Sequence, residues 1–141
     1  RKETPSPILD KKYFRRLYHS SMVSLLDDDG AISDSEPFET CLKRIFAKYC
    51  TPKIKQPLEC DIPPNAYLDS TGLDAWASDT NGEPFSEDTK EEILQFMDVT
   101  EDGNLTFKGF LQVYQLQTEN DEEETWRDLS KHGYDRTLNL I

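Results

Sequence analysis

A twelve-residue stretch, residues 98–109, carries oxygen-bearing side chains at the intervals that a hard cation requires. A calcium loop of this length takes ligands at positions 1, 3, 5, 7, 9 and 12 and has glycine at position 6. Asp98 and Asp102 stand at positions 1 and 5, and Gly103 stands at position 6, where the turn needs a positive φ. This spacing makes Asp98 and Asp102 the candidate ligands for calcium or magnesium.

The end of the same stretch argues against a bound ion. Position 12 normally supplies a bidentate carboxylate, whereas Gly109 has no side chain. Thr100 replaces the usual carboxylate at position 3, which removes negative charge that would offset dehydration of the ion. The loop therefore predicts no metal. We also expect no cofactor and no catalytic residue, because His19 and His132 have no convincing nucleophile partners. The alternative is a calcium- or magnesium-responsive loop in which Asp98 and Asp102 hold the ion.

Helical patterns flank this loop on both sides and recur earlier in the chain. Ser86 is a plausible N-cap before the loop, and Asp69 is a plausible N-cap of a helix that ends near Asn81-Gly82. An amphipathic pattern also begins at Phe38, and a proline-rich loop separates it from a short extended piece. We expect Leu105, at loop position 8, to pair with Tyr67 in that piece. The residues expected to face the core around the 98–109 loop are Ile93, Leu94, Phe96, Met97, Phe110, Leu111, Val113, Tyr114 and Leu116.

Two helix-loop-helix units in tandem are typical of an EF-hand pair. The sequence predicts an all-α fold: a degenerate EF-hand pair joined by a very short two-stranded sheet, with additional flanking helices. We divide the chain into residues 1–36 (tether, amphipathic helix and acidic linker), residues 37–118 (the EF-hand-like pair) and residues 119–141 (docking helix and tail).

Both flanks carry helical signals of their own. Residues 10–26 have an apolar stripe with basic residues beside it, and residues 27–36 are either an acidic linker or half of a calcium loop. In the C-terminal flank, Asn120 is the expected N-cap of a helix that ends at Gly133. The apolar side chains expected to dock this flank are Trp126, Leu129, Tyr134, Leu138 and Leu140.

Composition narrows the classes of function. The chain has 28 acidic and 16 basic side chains and a net charge of −12, which argues against nucleic acid as a partner. It has no apolar stretch that could span a bilayer. Cys41, Cys50 and Cys60 are widely spaced, which favours buried thiols in a reducing, cytoplasmic location. The start at Arg1, with no leader pattern, suggests a fragment of a larger protein.

Four short segments resemble the EF-hand region of the mitochondrial Rho GTPases, the Miro family: residues 42–46, 105–111, 124–126 and 132–135. The resemblance implies a pair of EF-hands with a degenerate second loop and a trailing segment that packs against them. The sequence contains no G-x-x-x-x-G-K-[ST] motif, so no GTPase activity is expected from this chain.

The predicted function is that of a non-catalytic protein-interaction or structural module of a larger protein. Its partner would be another protein or a neighbouring domain. An amphipathic helix of that partner would bind in a hydrophobic groove between the two EF-hand-like units. Residues 11–26 or 121–132 of this chain could fill the same groove from within. The alternative is a calcium- or magnesium-responsive regulatory module of a larger GTPase or other signalling enzyme. The residues expected to carry interaction or docking are Phe110, Tyr114, Trp126 and Tyr134.

Overall fold

A computed structural model of the chain describes residues 25–26, 37–54 and 62–140. The predicted helix before Leu25, the linker over residues 27–36 and Cys60 lie outside the described residues. Leu25 and Leu26, which we expected to end that helix, form a bend, and Leu25 is buried in the core. No helix among the described residues has the length and apolar character needed to cross a membrane.

The described residues are mostly helical, which confirms the all-α class. A single pair of short strands joins the two halves of this described part. The elements in chain order are α1 (Pro37–Ala47), β1 (Tyr67–Leu68), α2 (Ser70–Asn81), α3 (Glu87–Phe96), β2 (Leu105–Thr106), α4 (Phe107–Asn120) and α5 (Glu122–Lys131).

The strands β1 and β2 pair antiparallel, and each lies between two helices. Leu68 lies opposite Leu105, and Tyr67 lies opposite Thr106. The expected pairing of Leu105 with Tyr67 is therefore wrong by one residue. Because successive side chains of a strand alternate between its two faces, this register places Leu68 and Leu105 together in the core, where both are fully buried.

Short polar side chains cap the N-termini of α2 and α3. The carboxylate of Asp69 accepts the backbone N–H of Gly72 at 2.8 Å at the start of α2. The hydroxyl of Ser86 accepts the N–H of Thr89 at 3.2 Å at the start of α3. Both predicted N-caps are confirmed. Gly82 ends α2 in the left-handed conformation, with φ of 89°.

We expect Asp69→Ala to lower the free energy of unfolding by about 1 kcal/mol, because the N–H of Gly72 loses its acceptor. The matched variant Asp69→Asn retains an oxygen at the same place and should stay close to the parent. Urea denaturation followed by circular dichroism measures both. Equal stability of the alanine and asparagine variants would contradict this role of Asp69.

The core contains an aromatic cluster shared by α1, α2 and α4. The ring centroid of Trp76 lies 4.7 Å from that of Phe110 and 5.8 Å from that of Tyr114. Phe46 contacts Phe110 edge to face at 5.3 Å. Phe96 was expected to be buried but is 64% exposed, because the buried stripe of α3 runs through Thr89, Lys90 and Ile93 and leaves it outside.

The junction of α4 and α5 differs from the prediction. Asn120 is the last residue of α4, so its backbone is helical and it cannot act as the N-cap of α5. Asp121 occupies that position with φ of −158°, but its side chain makes no capping hydrogen bond. The helix α5 ends at Lys131, two residues before Gly133. After it, Tyr134 and Leu138 are buried, whereas Leu140 is 60% exposed and does not dock.

Candidate functional site

The loop over residues 98–109 makes its turn with hydrogen bonds between its own backbone groups. Gly103 adopts φ of +87°, as its position in the pattern requires. The N–H of Thr100 donates to the carbonyl of Asn104 at 2.8 Å, and the N–H of Gly103 donates to the carbonyl of Thr100 at 2.9 Å. The N–H of Thr106 reaches the carbonyl of Asp98 at 3.2 Å and closes the loop. These bonds stabilise the turn.

The side chains at positions 1 and 9 of this loop are bonded to each other. The hydroxyl of Thr106 lies 2.6 Å from Oδ2 of Asp98 and donates to it. The same hydroxyl accepts the N–H of Gly109 at 3.0 Å and caps the start of α4. The N–H of Asp98 donates to Oε1 of Gln112 at 2.7 Å. The Asp98 carboxylate is thus part of the cap that starts α4.

Gly109 lies against the backbone of Asp98. A Cβ atom at Gly109 would lie 2.3 Å from the carbonyl oxygen of Asp98 and 2.6 Å from Cδ1 of Leu105. Both distances are far shorter than a van der Waals contact. Any side chain at position 12 would therefore clash with Asp98 and Leu105 of the same loop unless the backbone moved.

The two candidate ligands have different environments. Asp98 is half-buried and engaged by Thr106, whereas Asp102 is exposed on the turn. Within the described ranges, no three His, Cys, Asp or Glu side chains are grouped so that they could hold a metal ion. Asp98 and Asp102 have the spacing of positions 1 and 5 of a calcium loop, but positions 3 and 12 of this loop have no carboxylate.

All four residues predicted to carry docking belong to one buried cluster: Phe110, Tyr114, Trp126 and Tyr134. The helix α5 packs against α4 and α2, and Trp126 and Leu129 are its buried apolar side chains. Trp126 is also covered from outside by Arg136, whose guanidinium lies 5.1 Å from the ring centre and pairs with Glu123. Phe110 and Tyr114 on α4 therefore share one core with Trp126 and Tyr134 of the C-terminal segment.

A polar network lies beneath α5, and the sequence analysis did not find it. The indole N–H of Trp76 donates to the hydroxyl of Tyr114 at 3.2 Å. Nε2 of Gln117 donates to Oδ2 of Asp128 at 3.1 Å and to the hydroxyl of Thr125 at 3.1 Å. Burial, more than any other cause, raises the pKa of Asp128 to about 7.

His132 fixes the other end of α5. Its Nδ1 lies 3.0 Å from Nζ of Lys48, and its Nε2 lies 2.8 Å from the hydroxyl of Thr80. An ammonium group can only donate, so Nδ1 must be an unprotonated acceptor and the ring must be neutral. Burial and the neighbouring ammonium of Lys48 lower the pKa of His132 to about 4.

One sequence signal could have revealed these residues. Thr125, Asp128, Leu129 and His132 stand at positions i, i+3, i+4 and i+7, which is the spacing of a single helix face. Because only one of the four is apolar, a search for hydrophobic periodicity does not detect this face. The buried side of α5 is a polar stripe beside Trp126.

No family model, curated protein or solved structure matches the chain.

Proposed function

We propose that the chain is an EF-hand-like pair that holds its shape without calcium and acts as a non-catalytic structural or protein-interaction module of a larger protein. The observation that carries this proposal is the contact at Gly109. Its Cα approaches the Asp98 backbone so closely that a side chain at loop position 12 has no room. The bidentate carboxylate that EF-hand calcium loops need is excluded by the packing as well as by the residue type.

The arrangement of elements supports the EF-hand part of the proposal. Each half has the order helix, short strand, helix: α1–β1–α2 and then α3–β2–α4. The two strands pair antiparallel through residues of the two loops. The resemblance to the Miro family, which also includes a trailing segment, agrees with the position of α5 against α2 and α4.

The packing of α5 against α2 and α4 favours the structural version of this module. Three occupants were predicted: a partner helix, residues 11–26 and residues 121–132. The last of these corresponds to α5, whose Trp126 and Leu129 lie in the shared core. In this arrangement the helices of the pair need no external ligand to bury their apolar surface.

The chemistry of the cysteines supports a reducing, cytoplasmic setting for this module. Cys41 and Cys50 are free and buried. Burial raises the pKa of the Cys41 thiol to about 11 and also raises that of Cys50, so both are poor nucleophiles at neutral pH. We assign these thiols a packing role.

The second candidate function is the calcium- or magnesium-responsive module. The left-handed Gly103 and the spacing of Asp98 and Asp102 favour it, because both belong to a working loop. In that case Asp98 would exchange its bond to Thr106 for an ion, and Gly109 would have to move away from Asp98.

Calorimetry with calcium and magnesium chloride on the full chain distinguishes the two candidates. We expect no binding in the sensor range, tighter than about 10 µM, because positions 3 and 12 supply no carboxylate. The matched variant Asp102→Asn should give the same blank titration. Binding tighter than about 10 µM that Asp102→Asn abolishes would establish the responsive module instead.

A further inference from the structure

The helix α5 and its C-cap bury two titratable side chains four residues apart, Asp128 and His132. We propose that these two residues form a proton-compensated latch, in which α5 docks with a protonated Asp128 carboxyl and a neutral His132 imidazole. In an undocked helix in mildly acidic water, both side chains would be charged. Docking would then remove a proton from His132 and add one to Asp128, with little net exchange with the solvent.

The surroundings of Asp128 favour its neutral form. The residue is 7% exposed, and its hydrogen-bond donor, Nε2 of Gln117 at 3.1 Å, is uncharged. The hydroxyl of Tyr114, which accepts the indole N–H of Trp76 from α2, is uncharged as well. A buried carboxylate without a cationic partner is costly, so the proton is retained.

The charged neighbours of Asp128 come from α5 itself. Glu124 precedes it by one helical turn and disfavours a second negative charge nearby. Arg127 is adjacent in sequence, but its guanidinium is paired with Glu124 and its side chain is 61% exposed. This pair leaves Asp128 without direct compensation of its charge.

The surroundings of His132 exclude its charged form by geometry. A proton on Nδ1 would point at the Lys48 ammonium 3.0 Å away. The hydroxyl of Thr80 from α2 lies 2.8 Å from Nε2, and the Asp79 carboxylate acts against burial and Lys48 by favouring the charged ring. The Asp79 carboxylate already accepts the hydroxyl of Tyr49 at 2.8 Å, and the Tyr49 ring lies 6.3 Å from the imidazole.

The two groups oppose each other in their effect on stability. Asp128 has a raised pKa in the docked state, so its contribution is complete below about 4 and is lost as the pH rises towards 7. His132 has a lowered pKa, so its contribution is complete above about 6.5 and is lost as the pH falls towards 4. Between pH values of about 4 and 6.5, the two contributions to stability therefore change with pH in opposite directions and by similar amounts.

Amide hydrogen exchange of α5 tests the latch with one variant for each group, on the full chain. The variants are Asp128→Asn, which is isosteric, and His132→Gln, which replaces the imidazole with an amide that does not titrate. The exposed loop aspartate in Asp102→Asn serves as the control. The measured quantity is the opening constant of α5, obtained from the Trp126 to Leu129 amides after correction for intrinsic exchange, at pH 4.5 and 6.5.

We expect opposite changes in the two variants. The opening constant of Asp128→Asn should fall by more than about tenfold as the pH rises from 4.5 to 6.5, because His132 still titrates and residue 128 no longer does. That of His132→Gln should rise by more than about tenfold over the same interval. The parent and Asp102→Asn should change by less than about threefold. Flat profiles in both variants, or slopes of the reverse sign, would overturn the proposal.

A titration of the parent chain covers the case in which either variant fails to fold. Carbon-13 and nitrogen-15 NMR would follow the Asp128 carboxyl and the His132 ring directly. Midpoints displaced towards neutral pH for Asp128 and towards acid for His132 support the latch. A midpoint near 4 for Asp128 or near 6.5 for His132 would contradict it. Neither result depends on whether the 98–109 loop binds calcium, so the latch and the proposed function can fail separately.

Discussion

Replacing Gly109 with glutamate should destabilise the chain and should not create a calcium site, although it restores the carboxylate missing from position 12. The Cβ of the new residue would lie 2.3 Å from the carbonyl oxygen of Asp98, so the loop would have to move away from α4. Overpacking of this kind costs about 3 kcal/mol of unfolding free energy. Urea denaturation measures the loss, and calorimetry with calcium chloride measures any gain in binding.

Two control variants separate the effect of the added Cβ atom from that of the added charge. Gly109→Ala introduces the Cβ without a charge and should carry most of the loss of stability. Lys108→Glu adds an acidic side chain at the exposed neighbouring position and should be nearly neutral. A Gly109→Glu variant that is as stable as the parent and binds calcium in the micromolar range would contradict the closed loop.

Truncating Trp126 to alanine should remove the main anchor of α5 and lower the free energy of unfolding by about 4 kcal/mol. The indole is 2% exposed, its N–H reaches Oε2 of Glu122 at 3.3 Å, and Arg136 covers its outer face. The loss combines the transfer of a large apolar side chain with the cavity left behind. Urea denaturation monitored by circular dichroism gives the value.

The matched substitutions for this prediction lie at the same site and next to it. Trp126→Phe keeps an aromatic ring and should lose much less stability than the alanine variant. Arg127→Ala removes an exposed side chain of the same helix and should change the unfolding free energy by less than about 1 kcal/mol. A loss below about 1 kcal/mol for Trp126→Ala would mean that α5 contributes little to the fold.

Local rules predicted much of the architecture. Asp69 and Ser86 start helices because their side chains accept orphan N–H groups, and Gly82 ends α2 because glycine adopts a left-handed conformation at low cost. The absence of a side chain at Gly109 also predicts a defective calcium loop, and this stays a prediction. These features depend on residues within one turn of each other, so the sequence alone contains the information.

Features that depend on distant contacts could not be predicted in the same way. The pairing of Leu105 with Leu68 follows from which strand face is buried, and the sequence of two short strands leaves this open by one residue. The close approach of Gly109 to the Asp98 backbone requires the closed loop itself. Periodicity searches ignore buried polar residues, so Asp128 and His132 were not identified as part of the docked face.

Hydrogen exchange of the loop amides, with and without calcium, tests the central claim most directly. That claim is that the 98–109 loop closes with its own hydrogen bonds, without an ion. The amides of Gly103, Asn104, Thr106 and Gly109 all donate within the loop. We predict that they are protected in metal-free buffer and that millimolar calcium leaves their protection unchanged. Amides that exchange freely without metal and become protected when calcium is added would contradict the account.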